Sequence, residues 1–380
     1  MKQLYIDHAA TSPIDPEVMS AMVDNMLSIS GNPSSVHRYG REARYALDTA
    51  RAVLAASIHA KESEIVFTSG GTESDNLALL GTAYARQSEG KHIITTAIEH
   101  SAILKTAQAL EKDGFEITYL PVSKNGEISL NDLQEALRPD TILVSIMYGN
   151  NEVGSRQPIQ AIGLMLETHP AYFHTDAVQA YGLEELNVDE LKVDLLSTSA
   201  HKLNGPHGIG FLYVRSQTRL NYTMFGGDQE RKRRAGTENL PAIVGYAKAV
   251  ELAEETRADK RDSYEKFKQI IISALDIAGV KYEINGTIDN SLSHILNIHF
   301  IGASVEAFLV NLDMAGVAVS SGSACMAGSI EPSHVLVAMY GEDTPVLKES
   351  LRFSFGAGLT KEDITYVADE TVRIYQRIVK

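Results

Sequence analysis

The chain has 380 residues, 44% hydrophobic and 22% charged, with one cysteine and a net charge of −15. This is an ordinary globular balance, long enough for two domains, and its acidity argues against general nucleic-acid binding, which needs a basic face. The longest apolar runs, such as 142–147 and 315–319, are too short to span a bilayer. A start without the apolar segment of a secretory signal, and a lone cysteine that excludes an intramolecular disulfide, lead us to expect a reducing cytoplasm.

Asp15-Pro16 predicts a helix start, an N-capping side chain followed by proline at the first helical position. It leads into Val18, Met19, Met22, Val23, Met26 and Leu27 at helical spacing. Strands are predicted at 64–68, 92–95, 116–120, 142–146, 172–174, 194–197 and 209–214, and helices at 75–86, 101–112, 130–137 and 159–167. Strands interleaved with helices predict an α/β fold, a largely parallel sheet covered on both faces, with function gathered beyond the carboxyl ends of the strands. A helix-rich stretch, 240–278, then leads to a changed pattern with strands at 294–300 and 351–355. The expected division is a large domain, 16–257, and a smaller α+β domain, 258–380, with residues 1–15 packing on either.

The predicted strand ends carry an uneven set of residues. Thr68-Ser69-Gly70-Gly71-Thr72-Glu73 stands between a strand and a helix, where small residues let backbone N–H groups approach a phosphate and the helix dipole favours the anion. It lacks the lysine of a P-loop and the spacing of a dinucleotide fingerprint. His100, in Glu99-His100-Ser101, reads equally as a helix N-terminal residue. The segment 148–154, YGNNEVG, is turn chemistry and hydrogen-bonding equipment at once. Asp176 and Lys202, each ending a buried-type strand, would be ordinary as surface charges. As a set, these residues match one cofactor. Pyridoxal phosphate needs a lysine amine, an Asp at its pyridine nitrogen, a phosphate cup and a cover for its ring. Lys202, Asp176, the Gly71-Thr72 turn with Ser199 and His201, and His100 supply these in turn. His201 and His207 flank a Gly-Pro turn, but no metal-ligand quartet accompanies them, so no metal is expected.

Cys325 lies in SSGSACMAGS, a flexible-loop composition rather than an apolar run, as suits a thiol carried to a reaction. A free thiol has a pKa of about 8.5, so a neighbour must lower that value or take the proton. The basic run Arg231-Lys232-Arg233-Arg234 reads as a solvated surface loop, the commoner case, or as a nucleic-acid patch or nuclear signal.

YIDHAATSPID, GNPSSVHRYG, TSGGTESDNLAL, EHSAIL, NNEVG, HTDAVQ, SAHKLNGPHGIGFLY, RAGTEN and SSGSACMAGS together resemble the cysteine desulfurases of NifS/IscS type. These are fold-type I pyridoxal-phosphate enzymes related to the class V aminotransferases, and the match runs nearly end to end. The resemblance implies Lys202 as the Schiff-base lysine, Asp176 at the pyridine nitrogen and His100 over the ring. It implies Asn151 and Gln179 near the phenolic oxygen, and Gly71, Thr72, Ser199 and His201 at the phosphate. Thr237, in RAGTEN, would reach the phosphate of a neighbouring subunit, which implies a homodimer and recasts 231–234 as the lead-in to an active-site loop. Arg352, with Asn32 and Asn151, would hold the substrate, L-cysteine, by its carboxylate. Cys325 would take the sulfur as a persulfide, release L-alanine and pass the sulfur to an acceptor protein in iron–sulfur cluster assembly, tRNA thiolation or cofactor biosynthesis. His8 departs from the more common Asn or Tyr. The rival readings are a class V aminotransferase, a selenocysteine lyase and, from a different class, a non-catalytic scaffold.

Overall fold

The computed structural model describes residues 2–321 and 332–379; Cys325 lies outside the described residues. The strands in chain order are β1 (Leu4–Tyr5), β2 (Ile65–Thr68), β3 (His92–Thr96), β4 (Glu116–Leu120), β5 (Thr141–Ser145), β6 (Tyr172–Asp176), β7 (Leu195–Ser197), β8 (Gly210–Val214), β9 (Tyr282–Ile284), β10 (Ile295–Phe300), β11 (Val317–Ala318) and β12 (Ser350–Ser354). Seven of them form a sheet in the order β2-β8-β7-β6-β5-β3-β4, in which β8 alone runs antiparallel to both neighbours.

Every residue of β2, β3, β5, β7 and β8 is buried, as expected of strands covered on both faces. Alternation assigns the faces. Phe67, Val144, Phe211 and Tyr213 pack with Leu47 and Leu54 of the Arg38–Ala56 helix and with Ile243 and Tyr246 of the Leu240–Ile277 helix. Val66, Leu143 and Leu212 point the other way, onto Leu77 and Ile103 of the Gly71–Arg86 and Ser101–Lys112 helices.

The second sheet, β12-β10-β9, is antiparallel and carries its own core, in which Phe300, Phe308, Phe353 and Ile364 meet. The predicted helix-rich stretch is one continuous helix, Leu240–Ile277, so the residue 257/258 boundary falls inside it. Its first half, including Ile243 and Val250, packs on the large sheet; Tyr264, Phe267 and Ile271 pack on the small one. The chain start also sits in the smaller core. Leu4 and Ile6 are buried there, β1 pairs with β11, and the Ser354 N–H donates to the Ile6 carbonyl at 2.9 Å.

Candidate active site

Beyond the strand ends lies a cleft of about 640 Å³. Gly71, Thr72, His100, Asn151, Asp176, Gln179, Ser199, His201 and Lys202 enter it from the large sheet, and Arg352 from β12. Asn32 and Thr237 are not among the residues that line it.

Lys202 ends a single helical turn, Ala200–Lys202, that follows β7. Its Nζ donates to the carbonyls of Ala9 and Ala10 at 2.5 and 2.8 Å. Burial, reinforced by Arg352, lowers its pKa to about 8, so roughly a tenth of the amine is uncharged at pH 7, far more than for an ordinary lysine. Asp176 closes β6 and accepts the Val178 N–H at 2.9 Å. Burial raises its pKa, while His100 and Lys202 pull it back. Asp75, fully buried beside it, has Oδ1 without a hydrogen-bond partner and 3.8 Å from His174 Nε2. Burial, and then Asp176, push Asp75 well up. Burial thus raises both carboxyls, Asp75 the further, while His100 and Lys202 favour the charged form of Asp176.

His100 caps the Ser101–Lys112 helix, its Nδ1 accepting the Ala102 N–H at 3.2 Å. Burial lowers its pKa. A neutral ring with Nδ1 engaged as acceptor carries its proton on Nε2. Arg352 donates from Nη1 to the Asn151 carbonyl and from Nη2 to Asp7 Oδ1, both at 2.7 Å, while its buried Nε has no partner.

At the other end, Gly70 has φ 144°, a region open to glycine, and the Gly71–Arg86 helix starts on the cleft wall. A Cβ on Gly71 would come within 2.8 Å of Val178 Cγ2, so only glycine brings this backbone so close. Burial and the adjacent Lys202 lower the His201 pKa to about 4. Its Nδ1 and His207 Nε2 both contact Thr11 Oγ1, at 3.1 and 2.9 Å. Among the described residues no cluster of three or more His, Cys, Asp or Glu is placed to hold a metal ion. The basic run is pinned from within. Arg234 pairs with Glu73 at 2.8 Å, Glu73 also accepts the Ser69 N–H, and the buried Arg51–Glu230 pair ties the preceding residue to β2.

These residues fit pyridoxal phosphate. A partly uncharged lysine would suit an aldehyde, a buried carboxylate beside the orphaned Asp75 oxygen would suit a ring nitrogen, and a helix N-terminus flanked by Ser199 would suit a phosphate.

Sequence reasoning missed Asp7, Asp75, the Ala9 and Ala10 carbonyls, and Glu99. Glu99 is wholly buried; Oε1 accepts from Thr96 Oγ1 at 2.7 Å and from the Met147 N–H at 3.0 Å, and Oε2 has no partner. Burial raises its pKa from 4.5 to about 8. Between those values the unfolded chain has released a proton that the fold retains, so stability falls as pH rises. Glu99→Gln is expected to abolish that loss, worth roughly 2–4 kcal/mol between pH 5 and 8. Denaturant melts of both proteins at the two pH values check this.

The family model for class-V aminotransferases matches residues 4–367. A Bacillus subtilis (strain 168) relative named IscS 1 is 56% identical over 378 residues, covering all of both chains. The cysteine desulfurase IscS of Dictyoglomus turgidum is 45% identical and covers 99% of this chain and 95% of its own. A solved NifS-like protein superposes with a TM-score of 0.92 at 33% identity, over 99% of this chain and 100% of its own. With the lysine, the buried aspartate and the anion-ready turn in one cleft, the chain belongs to the class-V aminotransferase family and, within it, to the pyridoxal-phosphate-dependent cysteine desulfurases of IscS/NifS type.

Proposed function

We propose that the cleft removes sulfur from L-cysteine, leaving L-alanine and a persulfide on Cys325. The observation that carries this reading is the meeting of Lys202, Asp176 and Arg352 in one cleft. Pyridoxal phosphate, attached through Lys202, supplies an electron sink for the pair left when the substrate Cα–H bond breaks.

The chain's own side chains do the rest. Arg352 takes the substrate α-carboxylate, with Asn151 beside it, and its unpartnered Nε supports this role, whereas Asn32 does not line the cleft of the single chain. The Lys202 amine, its pKa lowered by burial, takes the Cα proton. Asp176 keeps its charge against the pyridine nitrogen. Gly71, Thr72, Ser199 and His201 hold the phosphate, and Asn151 and Gln179 lie at the phenolic oxygen. His100 stacks on the ring, and its Nε2–H lowers the pKa of the thiol by donating to the thiolate. Cys325 sulfur then attacks the substrate sulfur. An S–S bond forms, the C–S bond breaks with its electron pair on carbon, and protonation there gives alanine.

A homodimer in which Thr237 crosses to the neighbouring site is supported by the exposed apolar Val36, Tyr45 and Phe225, on the segments near Asn32 and Thr237. The two separate cores support a cofactor-binding domain, 16–257, and a smaller domain, 258–380, with 1–15 packed on it. No helix among the described residues is long and apolar enough to cross a membrane, and we place the protein in the cytoplasm. There Cys325 passes sulfur to an acceptor protein for iron–sulfur clusters, tRNA thiolation or cofactor synthesis.

Purified protein given L-cysteine and no keto acid is expected to release alanine, as an aminotransferase would not. Cys325→Ala is expected to keep the yellow bound cofactor and lose about a thousandfold or more of the alanine release. Full sulfide production by that variant would overturn the proposal.

A further inference from the structure

We propose that His294 is a positioning residue for the cofactor site, fixing which end of the Gln179 amide faces the cleft. The inference rests on the placement of Gln179 beside the cofactor proposed above.

Gln179 is buried and makes two contacts on its amide. One amide atom lies 3.0 Å from the Ala9 carbonyl oxygen, the other 3.1 Å from His294 Nε2. A carbonyl oxygen can only accept, so the atom facing Ala9 is the amide nitrogen. The Ala9 carbonyl also receives Lys202 Nζ, and turning the amide over would set its oxygen against that carbonyl. The amide oxygen therefore faces His294, and it too can only accept. His294 must carry its proton on Nε2, which leaves Nδ1 bare, and Nδ1 is a buried atom without a partner. Burial, with Lys268 and Lys202 nearby, holds the ring neutral, its pKa down near 3, so a second proton does not arrive to change this arrangement.

Gln179 thus has its oxygen engaged and one N–H on Ala9, and its remaining N–H is the polar group left for the cleft that it lines. A donor there favours negative charge on a phenolic oxygen; an acceptor would oppose it. His294 belongs to the smaller sheet, just before β10, and its carbonyl accepts the Phe355 N–H at 2.8 Å. The second core thereby sets a hydrogen-bond direction in a site built mainly on the first.

The test uses the full chain as wild type, H294L, H294Q, Q179L and H294L/Q179L. Two readouts serve, the cofactor dissociation constant by equilibrium dialysis and the position of the visible absorption band of the bound cofactor. H294L is expected to weaken cofactor binding about fivefold to tenfold and to move the band. H294Q, whose amide nitrogen can stand where Nε2 stood, is expected to return both to within about twofold of wild type. In the Q179L background H294L is expected to change nothing further. An H294L protein with wild-type affinity and band would overturn the role of His294, as would an equal loss in the Q179L background, which marks a merely structural effect. Q179L with wild-type affinity and band would overturn the placement of Gln179 itself. Nitrogen NMR of labelled histidine, with His294 identified by its absence in H294Q, reads the proton position independently of cofactor binding. A proton on Nδ1 would overturn the inference.

Discussion

Lys202→Ala is expected to purify without the yellow, borohydride-reducible chromophore and to turn over L-cysteine at least about a thousandfold more slowly than wild type. The size follows from two lost functions on one amine. Attachment of the cofactor goes with the only nitrogen in the described cleft that is held by two backbone carbonyls and partly uncharged near neutrality. Proton removal at Cα goes with it, worth roughly 10²–10⁴-fold as general base catalysis. Absorption spectra before and after borohydride and a single-turnover alanine assay check the two losses separately. A variant that keeps a reducible chromophore would show that the lysine is misassigned.

The largest effect on stability is expected away from the chemistry. Arg51 donates from Nη1 and Nη2 to the two Glu230 oxygens at 2.8 and 2.6 Å, and Glu230 also accepts the Phe67 N–H at 2.9 Å. Both side chains are buried, 7% and 2% exposed. Arg51→Ala would strand a buried carboxylate without its hydrogen-bonded cation, a loss of about 3–5 kcal/mol. Because Glu230 opens the segment that runs through Arg234 to Thr237, loosening of that segment is expected alongside. A denaturant melt gives the first quantity, and limited proteolysis between 231 and 237 gives the second. Replacing both partners by apolar residues of similar volume is expected to recover most of the stability, since neither is then left buried and unpaired.

The cleft was legible in sequence where its residues stand at the ends of buried, β-branched strands. Runs such as Thr141–Ser145 declare themselves by composition, and each is followed by a polar residue at the same end of the sheet. Acids that owe their role to burial were not legible. Asp75 sits in ESDNLALL and Asp7 in YIDHAA, where each reads as a solvated charge until the fold places it against Asp176 or Arg352. The Arg38–Ala56 helix escaped for a related reason. Its buried face is Gly40, Ala43, Leu47, Ala50, Arg51, Leu54 and Ala55, in which two leucines are the large apolar residues and the others are small or, in one case, an arginine. The composition change at about residue 258 marks a change of partner along one helix, whose first half packs in the larger core and second half in the smaller, and the helix itself continues.

The path of the first residues has a consequence for biosynthesis. The Ile6 N–H donates to the Ala318 carbonyl, the Ile6 carbonyl accepts from Ser354, and Ala9 and Ala10 then hold the Lys202 amine. Residues 6–10 thus wait for partners around residues 318 and 354, made much later in the chain, before they reach their places. The large sheet, whose strands lie within residues 65–214, can form while the chain is still growing, but the segment that holds the lysine is fixed only when its partners at 318 and 354 are present. A chain stalled before residue 350 is then expected to leave Ile6 without the Ser354 N–H that it accepts in the fold.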